Sequence, residues 1–151
     1  MHEKTKKWIK LFNSKSCEIR VRAAVALLRR DDTPLETLID ILELPASRGL
    51  CFKAEKKLIE KGDRTLFTPM IERLDSPHSS IRQVACSILG SLKNHRATPC
   101  LLGMLDDENL GVRCSAGYAL GNIGDMGLRG RTITRLCISN IILYFQPVIK
   151  R

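Results

Sequence analysis

Residues 101–125 read L-L-G-M-L-D-D-E-N-L-G-V-R-C-S-A-G-Y-A-L-G-N-I-G-D, and this stretch decides the fold. A short apolar segment is followed by an acidic turn, and then by a longer segment that spaces Val112, Ala116 and Leu120 four residues apart. That spacing is helical, because a strand would alternate apolar and polar residues. The stretch therefore predicts two helices joined by a tight turn.

The same pattern recurs every 31 residues along the chain. Each copy carries an alanine in its second segment and a leucine four residues later: Ala23, Ala54, Ala85 and Ala116, then Leu27, Leu58, Leu89 and Leu120. The upstream apolar segments begin at Trp8, Ile39, Met70 and Leu101, again 31 apart. One helical hairpin cannot bury its apolar face alone, so the pattern predicts hairpins that stack.

Residues 6–125 resemble HEAT repeats of the short, phycobilisome-lyase-like class in their leucine pair, acidic turn, V-R, A-L-G and G-D signatures. The resemblance implies an all-α fold, a right-handed α-solenoid of four stacked hairpins. We expect these repeats within 1–125, at about 1–31, 32–62, 63–93 and 94–125. The second copy departs from the pattern, since Cys51 replaces its arginine.

Local signals predict where the helices begin and end. Thr-Pro recurs at 33–34, 68–69 and 98–99, which predicts a threonine N-cap with proline at the first helical position. Gly62 and Gly124 are expected to end the second helices of their repeats.

The resemblance also implies a structural ladder of charged residues. Arg20, Arg82 and Arg113 each follow the β-branched residue that opens a second helix. In the resembled class this arginine reaches the acidic turn of its own or a neighbouring repeat. Asp75 and Asp106 are the matching acids.

Helical spacing leaves a stripe of second-helix side chains facing outward. The residues of this stripe that we predict to bind a partner are Arg22, Arg29, Lys53, Lys56 and Tyr118. The stripe is basic in the first two copies and neutral in the last two, where Tyr118 is its aromatic residue. It predicts a partner protein with an acidic helix or tail, and exposed tyrosine is a frequent binding hot spot.

The net charge of +9, from 25 Lys and Arg against 16 Asp and Glu, raises the alternative of nucleic-acid binding. The excess lies at the ends: residues 1–31 hold nine Lys and Arg against three acids, and residues 125–151 hold five against one. A nucleic-acid-binding solenoid more often carries a continuous basic stripe. With 5% aromatic residues, a platform of stacking rings is excluded.

The sequence predicts no enzyme, metal or cofactor. The six cysteines and three histidines show no zinc-ligand spacing, and no phosphate loop or nucleophile motif occurs. The absence of a signal peptide or an apolar run long enough for a membrane span predicts a cytoplasmic protein with free thiols. We expect a non-catalytic protein–protein interaction scaffold, with a nucleic-acid-binding module or a non-catalytic subunit of a lyase-type enzyme complex as alternatives.

The C-terminal segment, 126–151, breaks the repeat. It lacks the acidic turn and contains the apolar run I-I-L-Y-F before Pro147. Three alternatives stay open: it caps the last repeat, it joins two chains into an oligomer, or it is the altered end of a longer array.

Overall fold

Every regular element in residues 2–44 and 48–124, the part of the chain that the computed structural model describes, is helical. Eight α-helices and four short 3-10 turns follow one another, without a strand in these residues. The predicted all-α fold class is confirmed. The expected C-terminal cap or tail, 126–151, lies outside the described residues.

The chain divides into two units, Met1–Gly62 and Asp63–Arg151. The boundary falls where the sequence places the border between the second and third repeats. The division into four repeats stays a prediction.

The first unit contains two helical hairpins. They comprise α1 (Glu3–Phe12), α2 (Cys17–Leu28), α3 (Leu35–Leu42) and α4 (Arg48–Lys61). α1 packs on α2, α3 packs on α4, and α2 contacts α4. Its fully buried side chains include Leu27, Leu38, Ile41 and Leu58, so the core is built from leucine-sized residues.

The second unit repeats this arrangement with shorter first helices. Its described part comprises α5 (Phe67–Glu72), α6 (Ser79–Ser91), α7 (Thr98–Gly103) and α8 (Leu110–Ile123). α5 packs on α6, α7 packs on α8, and α6 lies broadly against α8. A β-carbon on Gly90 would lie 2.6 Å from the Cα of Ala119, so these two helices approach more closely there than an alanine would permit.

The predicted repeat positions form the cores of both units. All four repeat alanines and all four repeat leucines are at most 1% exposed: Ala23, Leu27, Ala54, Leu58, Ala85, Leu89, Ala116 and Leu120. Of the residues expected to open the core face of each second helix, Leu50, Ile81 and Val112 are buried, whereas Ile19 is 40% exposed.

The Thr-Pro pairs were wrong as N-cap signals. Thr33 instead donates its hydroxyl hydrogen bond to the carbonyl oxygen of Leu27 at 2.7 Å, near the end of the preceding helix. At Thr68-Pro69 and Thr98-Pro99, a 3-10 turn directly precedes the α-helix, so the helical segment begins about one turn before the threonine. The caps are Asp63 and Asn94, whose side chains accept hydrogen bonds from the backbone N–H of Thr65 and Arg96. The first free N–H groups therefore lie upstream of the threonine, where a carboxylate or an amide accepts hydrogen bonds from them.

Residues in left-handed backbone conformation end three of the second helices. Gly62, Lys93 and Gly124 have φ values of 58°, 50° and 66°, and they lie 31 residues apart. The predicted glycine terminators at 62 and 124 are confirmed. Lys93 shows that the repeat keeps the backbone conformation even where it lacks the glycine.

Asp32 ties the link between α2 and α3 to the start of α1. Its carboxylate accepts hydrogen bonds from the Thr5 hydroxyl at 2.6 Å, the His2 backbone N–H at 2.7 Å and the Arg30 Nε at 3.1 Å. These donors, the Thr5 hydroxyl first, hold the pKa of Asp32 far below its usual range.

Candidate protein-interaction surface

A groove of about 290 Å³ lies between α2 and α4 in the first unit. Its lining residues follow one stripe on each helix, at the three- and four-residue spacing of a helical face. The stripes are Val25, Leu28 and Arg29 on α2, and Leu50, Lys53, Lys56, Lys57 and Glu60 on α4. The groove therefore combines an apolar floor with a rim that carries four cations and one acid.

Two of the rim cations have their charges free for a partner. Arg29 and Lys53 are exposed, and neither forms an ion pair with any residue in the described part of the chain. Lys56 shares its charge with Glu60, one turn away at 3.8 Å, and both side chains are exposed. Such exposed pairs are weak, so Lys56 can exchange its partner at little cost.

Lys57 has a structural role instead. Its Nζ donates to the carbonyl oxygen of Leu28 at 3.1 Å and to the Asp31 carboxylate at 3.3 Å, and its side chain is 13% exposed. Lys61 likewise reaches the carbonyl oxygen of Asp31 at 3.1 Å. Both lysines place positive charge at the C-terminal end of α2, where the helix dipole favours it.

The structure brings three of the five predicted partner-binding residues together, since Arg29, Lys53 and Lys56 line this one groove. Arg22 lies outside the lining and pairs with Glu18 at 2.7 Å on the exposed surface of α2. Tyr118 belongs to the second unit, where it lies on α8 with 70% of its surface exposed. Lys57 and Leu28 were not predicted to line a site, although they follow Lys53 and Val25 by four and three residues, the spacing of one helical face.

The neutral half of the predicted stripe needs one correction. The 31-residue repeat places Val84, Ser87, Ser91, Ser115, Tyr118 and Asn122 in this half, and helical spacing predicts that all of them face outward. Val84 is instead buried. Ser87, Ser91 and Ser115 are half-buried. On α8, Tyr118 and Asn122 are the exposed members of the stripe.

The charged ladder exists at Arg82, but with a different acid from the two predicted. Arg82 donates from Nε and Nη2 to the two carboxylate oxygens of Asp107 at 2.8 and 2.9 Å, and from Nη1 to the carbonyl oxygen of Ser76 at 2.8 Å. The predicted acids, Asp75 and Asp106, are exposed. Asp107 replaces them because it lies one residue further into the turn, in the repeat that follows Arg82.

This pair is well shielded from solvent, with side-chain exposures of 9% for Arg82 and 7% for Asp107. The hydrogen bonds from Arg82 lower the pKa of Asp107 below its usual value. Arg113 also contacts this turn, because its Nη1 donates hydrogen bonds to the carbonyl oxygens of Asp107 and Glu108 at 2.7 and 3.0 Å.

The predicted ladder role of Arg20 was wrong. Its guanidinium lies over the Phe12 ring, 5.9 Å from the centroid, and it forms no ion pair within the described residues. The reason is in the sequence, because the residue equivalent to Asp107 for Arg20 is Pro45, which has no carboxylate.

Nucleophiles and metal ligands are dispersed rather than clustered. Cys17, Cys51, Cys86, Cys100 and Cys114 are free thiols. Cys86 is the one buried among them, and burial raises its pKa to about 12, which makes it unreactive. Residues 2–44 and 48–124 contain no group of three His, Cys, Asp or Glu side chains that could hold a metal ion.

None of the helices between residues 2 and 124, where the structure describes them, combines the length and the apolar character that crossing a membrane requires. Residues 67–133 match the family model of HEAT repeats. This segment is therefore similar to HEAT repeats, a family whose members are commonly protein-interaction scaffolds. No curated protein matches the chain.

Proposed function

We propose that this chain, which is similar to HEAT repeats at residues 67–133, is a non-catalytic interaction scaffold that binds an acidic partner protein in the α2–α4 groove. The observation that carries the proposal is the groove itself. It offers apolar surface at Val25, Leu28 and Leu50 and unpaired charge at Arg29 and Lys53 within one concave site.

The groove has the composition of a peptide-binding surface. An amphipathic helix places apolar side chains at three- and four-residue intervals, which matches the helical spacing of the floor residues. Carboxylates that flank those side chains would lie against the cationic rim. Complementary charge raises the association rate and selects against basic partners.

Arg22 and Tyr118 extend the proposal beyond the groove. Arg22 lies on α2, and its exposed pair with Glu18 is weak enough to yield to a partner carboxylate. Tyr118 presents an exposed ring on α8 and is a second contact point for a partner. The free thiols fit a reducing compartment, and we place the protein in the cytoplasm.

A binding assay with a helical peptide tests the proposal. The probe carries leucines on one face and glutamates beside them, and the variant is Arg29→Glu/Lys53→Glu. The matched control, Lys10→Glu/Lys7→Glu, reverses two exposed α1 lysines and makes the same change in net charge. Arg29 and Lys10 both lie at helix C-termini, so the two variants lose similar helix-dipole energy.

We expect the parent and the control to bind the peptide and the groove variant to lose binding at least tenfold. Equal binding by the groove variant would refute the proposal. Equal losses in both variants would show that net charge, rather than the groove, attracts the peptide.

Nucleic acid is the competing ligand. If duplex DNA binds at about 50 mM salt with an affinity that falls steeply as salt rises, and both variants weaken it, the nucleic-acid alternative replaces the scaffold proposal.

A further inference from the structure

A second concave site lies in the other unit, where the links before α5 and α7 come together. The pocket measures about 310 Å³ and is lined by Arg64, Phe67, Leu92, Lys93, Asn94 and His95. Its lining within the described residues contains three basic side chains and no carboxylate. No part of it belongs to the α2–α4 groove, so a ligand of this pocket is independent of the proposed function.

The charges of Arg64 and Lys93 are not neutralised within the described residues, where neither forms an ion pair. The acid next to Arg64 in sequence, Asp63, caps the 3-10 turn that precedes α5. Its Oδ1 accepts from the N–H and the hydroxyl of Thr65, both at 2.8 Å. Arg96 adds a fourth cation at the edge, with its guanidinium 5.7 Å from the centroid of the Phe67 ring.

Lys93 occupies a backbone conformation that does not favour lysine. Its φ is 50°, and the equivalent residues one repeat earlier and one repeat later are Gly62 and Gly124. Glycine adopts this conformation without strain, whereas a lysine side chain there is unfavourable. A strained residue whose side chain lines a concave basic site points to a binding role for that side chain.

The arrangement fits one compact, doubly charged group better than a polymer of phosphates. An arginine, a lysine and an asparagine around a small concavity supply the donors that a phosphate monoester accepts. A nucleic-acid backbone needs cations along a track, whereas this pocket places Arg64, Lys93 and His95 around one small concavity.

We propose that this pocket, defined by Arg64, Lys93, Asn94 and His95, binds a phosphorylated side chain of a partner protein. Arg64 and Lys93 contact the phosphate oxygens, and Asn94 and His95 complete the rim.

The test uses the full chain and four probes: a short, otherwise neutral peptide with phosphoserine, serine or glutamate at its centre, and a mixed-sequence single-stranded DNA. The key variant is Lys93→Gly, which removes the side chain and restores the residue that the backbone favours. Arg64→Gln is the second variant. Lys15→Gly removes an exposed link lysine of the first unit and serves as the control.

We expect the phosphoserine peptide to bind the parent and Lys15→Gly equally. Lys93→Gly should bind about tenfold more weakly, the effect of losing one charge-assisted hydrogen bond. Because Lys93→Gly should also have a higher melting temperature than the parent, weakened binding cannot be ascribed to unfolding.

Three results would overturn the proposal. The first is undiminished binding by both Lys93→Gly and Arg64→Gln. The second is equal binding of the serine and phosphoserine peptides. The third is binding of the DNA with greater affinity than the phosphopeptide, which would assign the pocket to nucleic acid.

Discussion

Replacing Arg82 by alanine tests whether the second unit depends on its buried ion pair. The substitution removes four hydrogen bonds: two to the carboxylate of Asp107, one to the carbonyl oxygen of Ser76 and a longer one, 3.3 Å, to the exposed carboxylate of Glu108. It leaves Asp107 negatively charged in a place where only 7% of its side chain reaches solvent.

The magnitude depends on the contacts that Asp107 loses and those it keeps. Removing one partner of a buried pair typically costs about 3–5 kcal/mol, because the remaining charge is left unpaired. Asp107 still accepts a hydrogen bond from the backbone N–H of Asn109 at 2.8 Å, which favours the lower end. We therefore expect Arg82→Ala to lower the free energy of unfolding by about 3 kcal/mol.

Urea unfolding followed by far-ultraviolet circular dichroism measures this loss, and a double-mutant cycle of Arg82→Ala with Asp107→Asn isolates the pair. The control is Asp106→Asn, at an exposed residue, which should change stability by less than about 0.5 kcal/mol. The reasoning fails if Asp106→Asn destabilises the protein as much as Asp107→Asn, or if the cycle shows no coupling.

The same pair has a predictable pH dependence. Because the folded-state pKa of Asp107 is lowered, its stabilising contribution is present above the unfolded-state value of about 3.9 and is lost as pH falls through the lower folded value. The stability difference between the parent and Asp107→Asn should therefore shrink in acid. A difference that grows as pH falls would contradict the assigned interaction.

Two further changes test packing and the N-terminal network. Gly90→Ala should destabilise the protein by about 1–2 kcal/mol, because the new methyl group would collide with Ala119. The control, Gly121→Ala, places its methyl group where no described atom lies within 4 Å, and it should stabilise the protein by about 0.5–1 kcal/mol. Thermal unfolding of both variants measures the contrast, and equal effects would refute the close approach of the two helices. Asp32→Asn should lower the melting temperature at neutral pH, and its difference from the parent should shrink as the pH falls below the unfolded-state pKa of about 3.9; a difference that stays constant would show that the carboxylate charge is not what matters.

The helical repeat could be predicted from the sequence because small and large apolar residues recur at fixed positions in every copy. Ala85 and Leu89 are fully or almost fully buried, as their spacing indicates, and so are their equivalents in the other copies. Alanines at close helix contacts and leucines in the core can be recognised from their spacing alone, without knowledge of the rest of the structure.

The polar interactions were harder to predict, because several chemically equal candidates lie next to each other. The turn before α8 offers Asp106, Asp107 and Glu108, and only the three-dimensional path of the turn places Asp107 at the guanidinium of Arg82. The Thr-Pro signal failed for a related reason. Asp63 and Asn94 lie upstream and satisfy the free N–H groups first.

One pair of repeat positions explains why the groove forms in the first unit. In the second unit the pair is Gly90 and Ala119, whose small size lets α6 and α8 meet. The equivalent residues in the first unit, 62 positions earlier, are Leu28 and Lys57.

Both of these larger side chains line the groove, and the Lys57 ammonium group donates to the carbonyl oxygen of Leu28 rather than letting the backbones close. Two residues too large for helix contact therefore leave the space in which Arg29 and Lys53 remain unpaired. The sequence difference between copies of one repeat thus produces a close helix contact in one unit and an open groove in the other.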